Sequence, residues 1–484
     1  MSSPRQVEGD RTASPTPRGP ARKVAHLSPG ERVARGKAAR NDTPRSSHAR
    51  WAPATNRPDP VTLLEEQGAS RVPELVPLRY GRMMVSPFTF YRGGALIMAS
   101  DLAATPRSGL TAQICGDAHL SNFGVFASPE RQMMFDINDF DETLPGPWEW
   151  DVKRLAASFE IACRDRGFKP ADRRAVVVAG VAEYRARMHQ FAAARNLDVW
   201  YAHIPVDRIF EELKATATKK QQAKAKANAA KARTRDSMQA FTKLTHVVDG
   251  QRRIVSDPPL IVPIEELVPA GSGRDDIEAE VRDLIRSYRR SLETDRRELL
   301  ETFEYVHLAR KVVGVGSVGT RAFIVLLEGR DMKDPLFLQV KEATRSVLED
   351  HLPASKFANP GERVVRGQRM MQATSDIFLG WTKGVQANRF YYWRQLRDMK
   401  TSAVIESMTP AALSFYADLC GWTLARAHAR SGDVIAMASY LGDADTFETA
   451  ITDFAVRYAD QNELDYQAFT AAIDSGRLPV QRGL

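Results

Sequence analysis

Apolar positions switch between two periods along this chain. Val152, Leu155, Ala156, Phe159 and Cys163 share one helical face, and so do Ile277, Val281, Leu284, Ile285, Tyr288 and Leu292. After Pro410 the same spacing returns with Leu413, Tyr416, Cys420 and Leu424. These spacings predict amphipathic helices, with further helices over Ala95–Leu102 and on to about Gln190. Between Thr111 and Asp141 the apolar pieces are short (Gln113–Cys115, Phe123–Phe126, Met133–Ile137) and are split by Gly, Asn and Pro, which predicts short strands and loops. A second strand block starts at Val306: a glycine-rich piece over Lys311–Thr320, then Ala322–Leu327 and Leu336–Lys341 joined by a turn over Gly329–Pro335. A helix over Glu362–Thr374 and strands over Asp376–Thr382 and Arg389–Leu396 follow. The pattern predicts an α+β protein in which a small antiparallel sheet over 301–400 is inserted between a largely helical 51–300 and C-terminal helices over 401–484.

Composition narrows the classes. With 484 residues and 43% hydrophobic content the chain is long enough for two or three packed lobes. No run approaches the roughly eighteen apolar residues of a membrane span, and the N-terminus has charges and prolines where a secretory signal would be apolar. A cytoplasmic protein without a membrane partner is expected. The three cysteines lack a CxxC pairing with histidines, so neither a disulfide framework nor a zinc site is expected. Residues 1–60 contain 12 Lys/Arg against 5 Asp/Glu, a net of +7 out of the chain's +8. The body is nearly neutral, and residues 1–50 read as a disordered basic arm whose nucleic-acid contacts would be nonspecific. Leu213–Arg235 has eight Lys/Arg and no acid before Asp236. It reads as a solvated helix, the alternative being a surface for a polyanionic substrate.

Two constellations bear on chemistry. The first is Gly116-Asp117-Ala-His119-Leu-Ser-Asn122, followed by Asp136-Ile-Asn-Asp139-Phe-Asp141. Phosphoryl transfer needs a carboxylate that orients the acceptor and ligands that hold Mg²⁺ against the nucleotide phosphates. Asp117 supplies the first; Asn122 and Asp139 supply metal ligands. A turn built from Gly, Asp and Asn is the structural alternative. The second is Gly314-Val-Gly316-Ser317-Val-Gly319 with Lys341. Backbone N–H groups of a glycine-rich turn approach phosphates closely, and a lysine on the next strand but one reaches them. Because the turn lies between two strands, it fits a kinase loop and not a dinucleotide site. Glu349 and Glu362 are both candidates for the acidic partner of Lys341.

The first segment resembles the catalytic loop of aminoglycoside phosphotransferases and choline kinases, His-Gly-Asp-x-His-x-x-Asn followed by Ile-Asp-Phe. Gly116, Asp117, His119, Asn122 and Asp139-Phe140 match it position by position. Cys115 replaces the leading His or Arg, and the span from Asn122 to Asp139 is longer than usual, which leaves Asp136 as a rival metal ligand. Gly421–Gly432, around His428, resembles the helix that precedes this loop in those enzymes, yet here it follows it. The resemblance therefore implies a circularly permuted, two-lobed kinase-like fold, with Arg394, Gln395 and Leu396 as the hinge that reads the adenine edge and Asp151 as a brace for the catalytic loop. From about Trp51 onward the chain also resembles the bacterial family known as domain of unknown function 2252, through Ser86–Gly93, Gly116–Gly124, Asp136–Glu142, Gly146–Asp151 and Arg394–Asp398. These resemblances imply an ATP- and Mg²⁺-dependent phosphotransferase acting on a small molecule, or else on a protein. Transfer of AMP by the same cluster and a catalytically silent nucleotide-binding regulator are the alternatives.

Overall fold

Prolines mark where helices begin. Ser28, Asp59, Ser86, Asn359 and Thr409 each accept a backbone N–H of the first helical turn, and proline follows each at once. The side chain satisfies an orphan donor while the ring presets the helical φ. The computed structural model describes residues 26–483 apart from 217–222, 224–225, 228–229, 231–236, 249, 268–273, 386–387 and 397–398. It is a mixed α+β protein with 52% helix and 16% strand in several antiparallel sheets. No helix among the described residues is long and apolar enough to cross a membrane.

The strands are β1 (Thr111–Ile114), β2 (Phe123–Ala127), β3 (Met133–Ile137), β4 (Leu144–Pro147), β5 (Ile204–Pro205), β6 (Thr245–Val248), β7 (Gln251–Ile254), β8 (Ile261–Pro263), β9 (Glu304–Lys311), β10 (Ala322–Glu328), β11 (Pro335–Glu342), β12 (Gly380–Lys383), β13 (Phe390–Gln395) and β14 (Thr401–Ser402). Six of them make one sheet in the order β12-β13-β11-β10-β9-β8; the others form the sheet β14-β2-β3-β5 and the ribbons β1-β4 and β6-β7. The helix Pro360–Met371 connects β11 to β12.

The largest core cluster joins the helices Trp148–Asp165, Pro170–Ala193 and Pro410–Ala429. Trp148–Asp165 is buried on all sides, so its polar residues Glu149, Asp151, Lys153, Arg154 and Glu160 lie inside the protein. A helix buried all round is a core helix, and charges there are retained only with partners or a task. The six-stranded sheet has its own cluster on one face, where Trp393 stacks on Tyr288 at 4.5 Å. Alternation along the strands then turns Gln339, Lys341, Tyr392 and Arg394 to the opposite face.

Three expectations are corrected. The arm read over 1–50 is folded from Pro29 on: the helix Pro29–Asp42 lies on Val434–Leu441, Ser439 donates to Val33 O (2.9 Å), and buried His48 bonds Tyr440 (2.7 Å). Gly36 allows this approach, since a Cβ there would stand 2.1 Å from Ala436 O. Contact of this kind uses small residues and hydrogen bonds, which apolar content does not register. Residues 1–25, and most of the Lys-rich segment over 213–235, lie outside the described residues. Second, the glycine-rich piece is a strand only as far as Lys311; Gly314 (φ 68°) and Gly319 (φ 89°) take left-handed conformations that end β9 and make a loop. Third, Asp376–Leu379 is a turn held by the Asp376 side chain on Phe378 N (2.8 Å), and β12 begins at Gly380.

Candidate active site

The site is assembled on a hairpin. β2 and β3 pair from Phe123↔Ile137 to Ala127↔Met133, so Asn122 just before β2 and Asn138-Asp139 just after β3 are brought side by side, with Asn138 N donating to Asn122 O (2.7 Å). The residues that lengthen the span from Asn122 to Asp139 are turned out at the far end of the hairpin, around Arg131 (φ 65°). Preceding it, Gly116 (φ 78°) turns the chain so that Asp117 faces a cleft. Asp151 braces this turn by accepting Cys115 N (2.7 Å) and Gly116 N (2.9 Å), and His428 Nε2 lies 3.2 Å from the same carboxylate. His428 is fully buried, with Nδ1 on Tyr184 OH (2.9 Å), and is a packing residue beneath the loop.

Across the cleft stands Lys341. Its ammonium is 2.5 Å from Asp141 Oδ2 and 3.5 Å from Asp139 Oδ1, and Tyr392 donates to Asp141 Oδ1 (2.6 Å). Burial alone would raise the Asp141 pKa, but Lys341 and Tyr392 outweigh it and hold the carboxylate at about 2. Burial likewise opposes the Lys341 charge, and Asp139 and Asp141 overcome it and raise its pKa. Asp117 behaves differently. Burial raises its pKa, partly offset by Arg154, whose Nε (2.6 Å) and Nη2 (2.5 Å) both contact Oδ1. Oδ2 has His119 Nε2 at 3.8 Å, and both residues line the cleft.

The glycine loop closes the cleft from above. Gly314, Val315, Gly316 and Ser317 line a cavity of about 150 Å³ with Asp117, Asn122, Asp139 and Asp141. The loop is held by the preceding helical segment: Arg82 donates to Gly314 O (2.7 Å), Arg71 Nη1 to Val318 O (2.5 Å) and Val72 N to Gly319 O (2.8 Å). Ser317 Oγ lies 3.4 Å from Asp141 Oδ2.

With this geometry described, comparison with known proteins adds one finding. The bacterial family described as "Uncharacterized protein conserved in bacteria (DUF2252)" matches residues 71–472. The chain belongs to this family. No curated protein and no solved structure matches it. The DUF2252 match takes in every residue described so far around the cleft, from Arg71 to His428.

Within this DUF2252 chain, Asp117, Asn122, Asp139, Gly314, Gly316 and Ser317 come together at the cleft and Lys341 reaches it through Asp139 and Asp141. Gly319 faces the Arg71 side chain (3.1 Å from a Cβ placed there) and shapes the loop from behind. Three other sequence readings do not hold. Asp136 is 1% exposed and binds Arg426, Ile137 N (2.8 Å) and Ala373 N (2.9 Å), which leaves it away from the cleft and without a free oxygen for a metal. Asp136 lies within the fully buried β3, whereas Asp139 follows the end of that strand and reaches the cleft. Gln395 N is held by Asp376 and Leu396 N by Phe337 O (3.0 Å), while Arg394 bonds Gln339 (3.0 Å) and Asn138 O (3.2 Å); none of the three lines the cleft or offers a hinge donor to a base. Arg397 and Asp398 lie outside the described residues. Neither Glu349 nor Glu362 meets Lys341: Glu349 caps Ser346 N (3.0 Å) and Glu362 faces Arg366 (3.4 Å). Arg363 of the same helix is instead tied to Asp141 O (2.7 Å) and Thr143 O (2.6 Å). Residues that the motifs missed are Asp141, Tyr392, Arg154, Arg71 and Arg92. Asp141 carried a signal as the second acid of Asp-Phe-Asp, and Arg92 lies in the Ser86–Gly93 phrase without a role assigned to it.

Among the described residues Asp139 Oδ1 is buried without a hydrogen bond, with only the Lys341 ammonium near it at 3.5 Å, and Asn122 uses its Nδ2 on Asp117 O (2.7 Å), leaving its amide oxygen for other use. Two hard oxygen donors of this kind fit Mg²⁺, which takes one or two protein ligands and completes its shell with phosphates and water. Among the described residues no three His, Cys, Asp or Glu side chains gather as a metal cage.

Proposed function

We propose that this DUF2252 protein is an ATP- and Mg²⁺-dependent phosphotransferase of kinase-like, circularly permuted fold acting on a small-molecule acceptor. One observation carries the reading: Lys341 and Asp139, on elements about 200 residues apart, meet at 3.5 Å under a glycine-rich loop. In sequence order, a glycine loop, a lysine strand, a helix and two further strands follow the catalytic-type loop where a kinase has them before it. Lys341 would hold nucleotide phosphates entering beneath Gly314–Ser317, and Asp141 keeps its ammonium charged until they arrive. Asn122 and Asp139 would hold Mg²⁺, which supplies neutralisation of phosphate charge. Asp117, with Oδ1 fixed by Arg154, offers Oδ2 to an acceptor hydroxyl and orients it.

Calorimetry of ATP binding tests the nucleotide and metal assignments. Binding is expected with Mg²⁺, weaker by at least tenfold in EDTA, and weaker again in Asp139→Ala. Equal affinity in all three would refute the metal site. Label from γ-labelled ATP should appear on an acceptor in a metabolite screen. Label from α-labelled ATP instead would establish nucleotidyl transfer, and binding with no transfer to any acceptor would favour a silent regulator.

A further inference from the structure

One wall of the cleft is cationic and has no use in the reading above. It is made by the helical segment that ends at Gly94, with Gln67, Ser70, Arg71, Arg92, Gly93 and Ala95 lining the cavity. Arg71 is 8% exposed; among the described residues its side chain makes one hydrogen bond, from Nη1 to Val318 O, and its buried Nε has no hydrogen-bond partner. Among the described residues the Arg92 guanidinium makes no hydrogen bond, its buried Nε is also unpartnered, and it lies over the Phe88 ring at 6.0 Å. Among the described residues neither arginine forms an ion pair with a carboxylate. Behind them, fully buried Arg79 holds Gln67 and Gly93 O (3.1 Å) and adds a third unpaired charge. The helix Ala95–Ala103 also starts here, with no side-chain cap on its first turn and Ala95 facing the cavity.

A buried guanidinium that lacks a directly hydrogen-bonded anion is strongly disfavoured, even with carboxylates further off. Arg71 and Arg79 are both held below the ordinary arginine range by burial, which expresses the same unmet demand. Guanidinium forks without a carboxylate partner beside a positive helix end are the chemistry that binds a phosphate-type oxyanion. The cavity of about 150 Å³ has room for such a group.

We infer that Arg71, Arg92 and the N-terminus of Ala95–Ala103 form an oxyanion subsite facing the Asp117-Asp139-Asp141 floor, built for a phosphate group of a substrate. That phosphate is either the terminal one of the nucleotide or one carried by the acceptor. The two sources rest on the phosphotransferase reading; the subsite itself rests on the arginines alone.

The test uses the full chain and titrates inorganic phosphate, Mg-ADP and Mg-ATP by calorimetry into the wild type, Arg92→Gln and Arg71→Gln, with thermal melts as a fold check. Phosphate affinity should fall by about tenfold or more in Arg92→Gln, in line with the loss of a charge-assisted fork. If Mg-ATP affinity falls with it and Mg-ADP affinity does not, the subsite takes the terminal phosphate. If both nucleotides keep their affinity, it takes a phosphate on the acceptor. Should the glutamine variants not fold, Arg92→Lys, which keeps the charge and loses the fork, should still show a drop of about threefold. Phosphate that does not bind the wild type, or binds it and the folded variants equally, overturns the inference. An Arg92-dependent phosphate site in a protein that binds no ATP would leave the inference standing and remove the phosphotransferase reading. ATP binding that depends on Lys341, with phosphate indifferent to Arg92, would do the reverse.

Discussion

Asp141 shows how one residue sets the chemistry around it. It receives Lys341 and Tyr392 on separate oxygens and lies below the usual carboxylate range when folded. Its folded pKa is under its unfolded one, so its stabilisation is complete above about pH 4 and is lost as pH falls through about 2. Asp141→Asn should therefore flatten the acid limb of stability between pH 4 and 2, and should cost about 2–4 kcal/mol at pH 7 because Lys341 loses its nearest partner. Urea titrations across that range check both. Lys153 has the opposite sign. It is buried, its Nζ has no hydrogen bond among the described residues and lies 5.3 Å from the Phe454 ring, and burial brings its pKa down to about 7, with Glu149 pulling the other way. The unfolded chain then binds a proton that the folded one has released, so stability should rise with pH between about 7 and 10. Lys153→Met should lose that rise; an unchanged slope would assign it to another group.

At the scale of elements, close backbone approach is the main device. Pro170–Ala193 crosses Pro410–Ala429 where a Cβ on Gly421 would stand 2.1 Å from Gly180 O. Backbone cannot retreat as a flexible side-chain end can, so Gly421→Ala should destabilise the protein by about 3 kcal/mol, read as a lower urea midpoint with unchanged slope. The contact of Pro29–Asp42 with Val434–Leu441 follows the same logic. Removing residues 1–50 should lower the melting temperature, since it uncovers that helix and takes His48 from Tyr440 and Phe447. A truncated protein that melts with the full chain would show that the N-terminal helix contributes nothing to stability. These crossings leave a faint trace in sequence, because a glycine inside a helix marks either a weak helix or a close neighbour, and only the neighbour tells which.

For the whole molecule, the cleft draws on three stretches of chain: 67–95, 117–142 and 314–347. Ligand that bridges them binds the folded state alone. Mg-ATP at a hundred times its Kd should stabilise the protein by about 2.7 kcal/mol, and this gain should vanish in EDTA and in Asp139→Ala; equal stabilisation in all cases would place the nucleotide elsewhere. That Gly314 and Gly319 take left-handed conformations and end β9 was not legible in a piece that reads as a strand, whereas the helical periods, the β2–β3 hairpin and the placement of Asp117 and Asn122 on one loop were legible along the chain. Each depends on residues within one element or one turn, where spacing dictates which side chains share a face. Tertiary structure alone determined that Asp141, and not a glutamate, meets Lys341, that Arg154 from a buried helix holds Asp117, and that Asp376 and Phe337 occupy the N–H groups read as a hinge. It also folded Pro29–Asp42 onto the body and set Arg71 and Arg92 in the cleft wall. Periodicity says that a face exists; which faces meet depends on the packing of elements up to 200 residues apart, and a charge has no partner to read until they do.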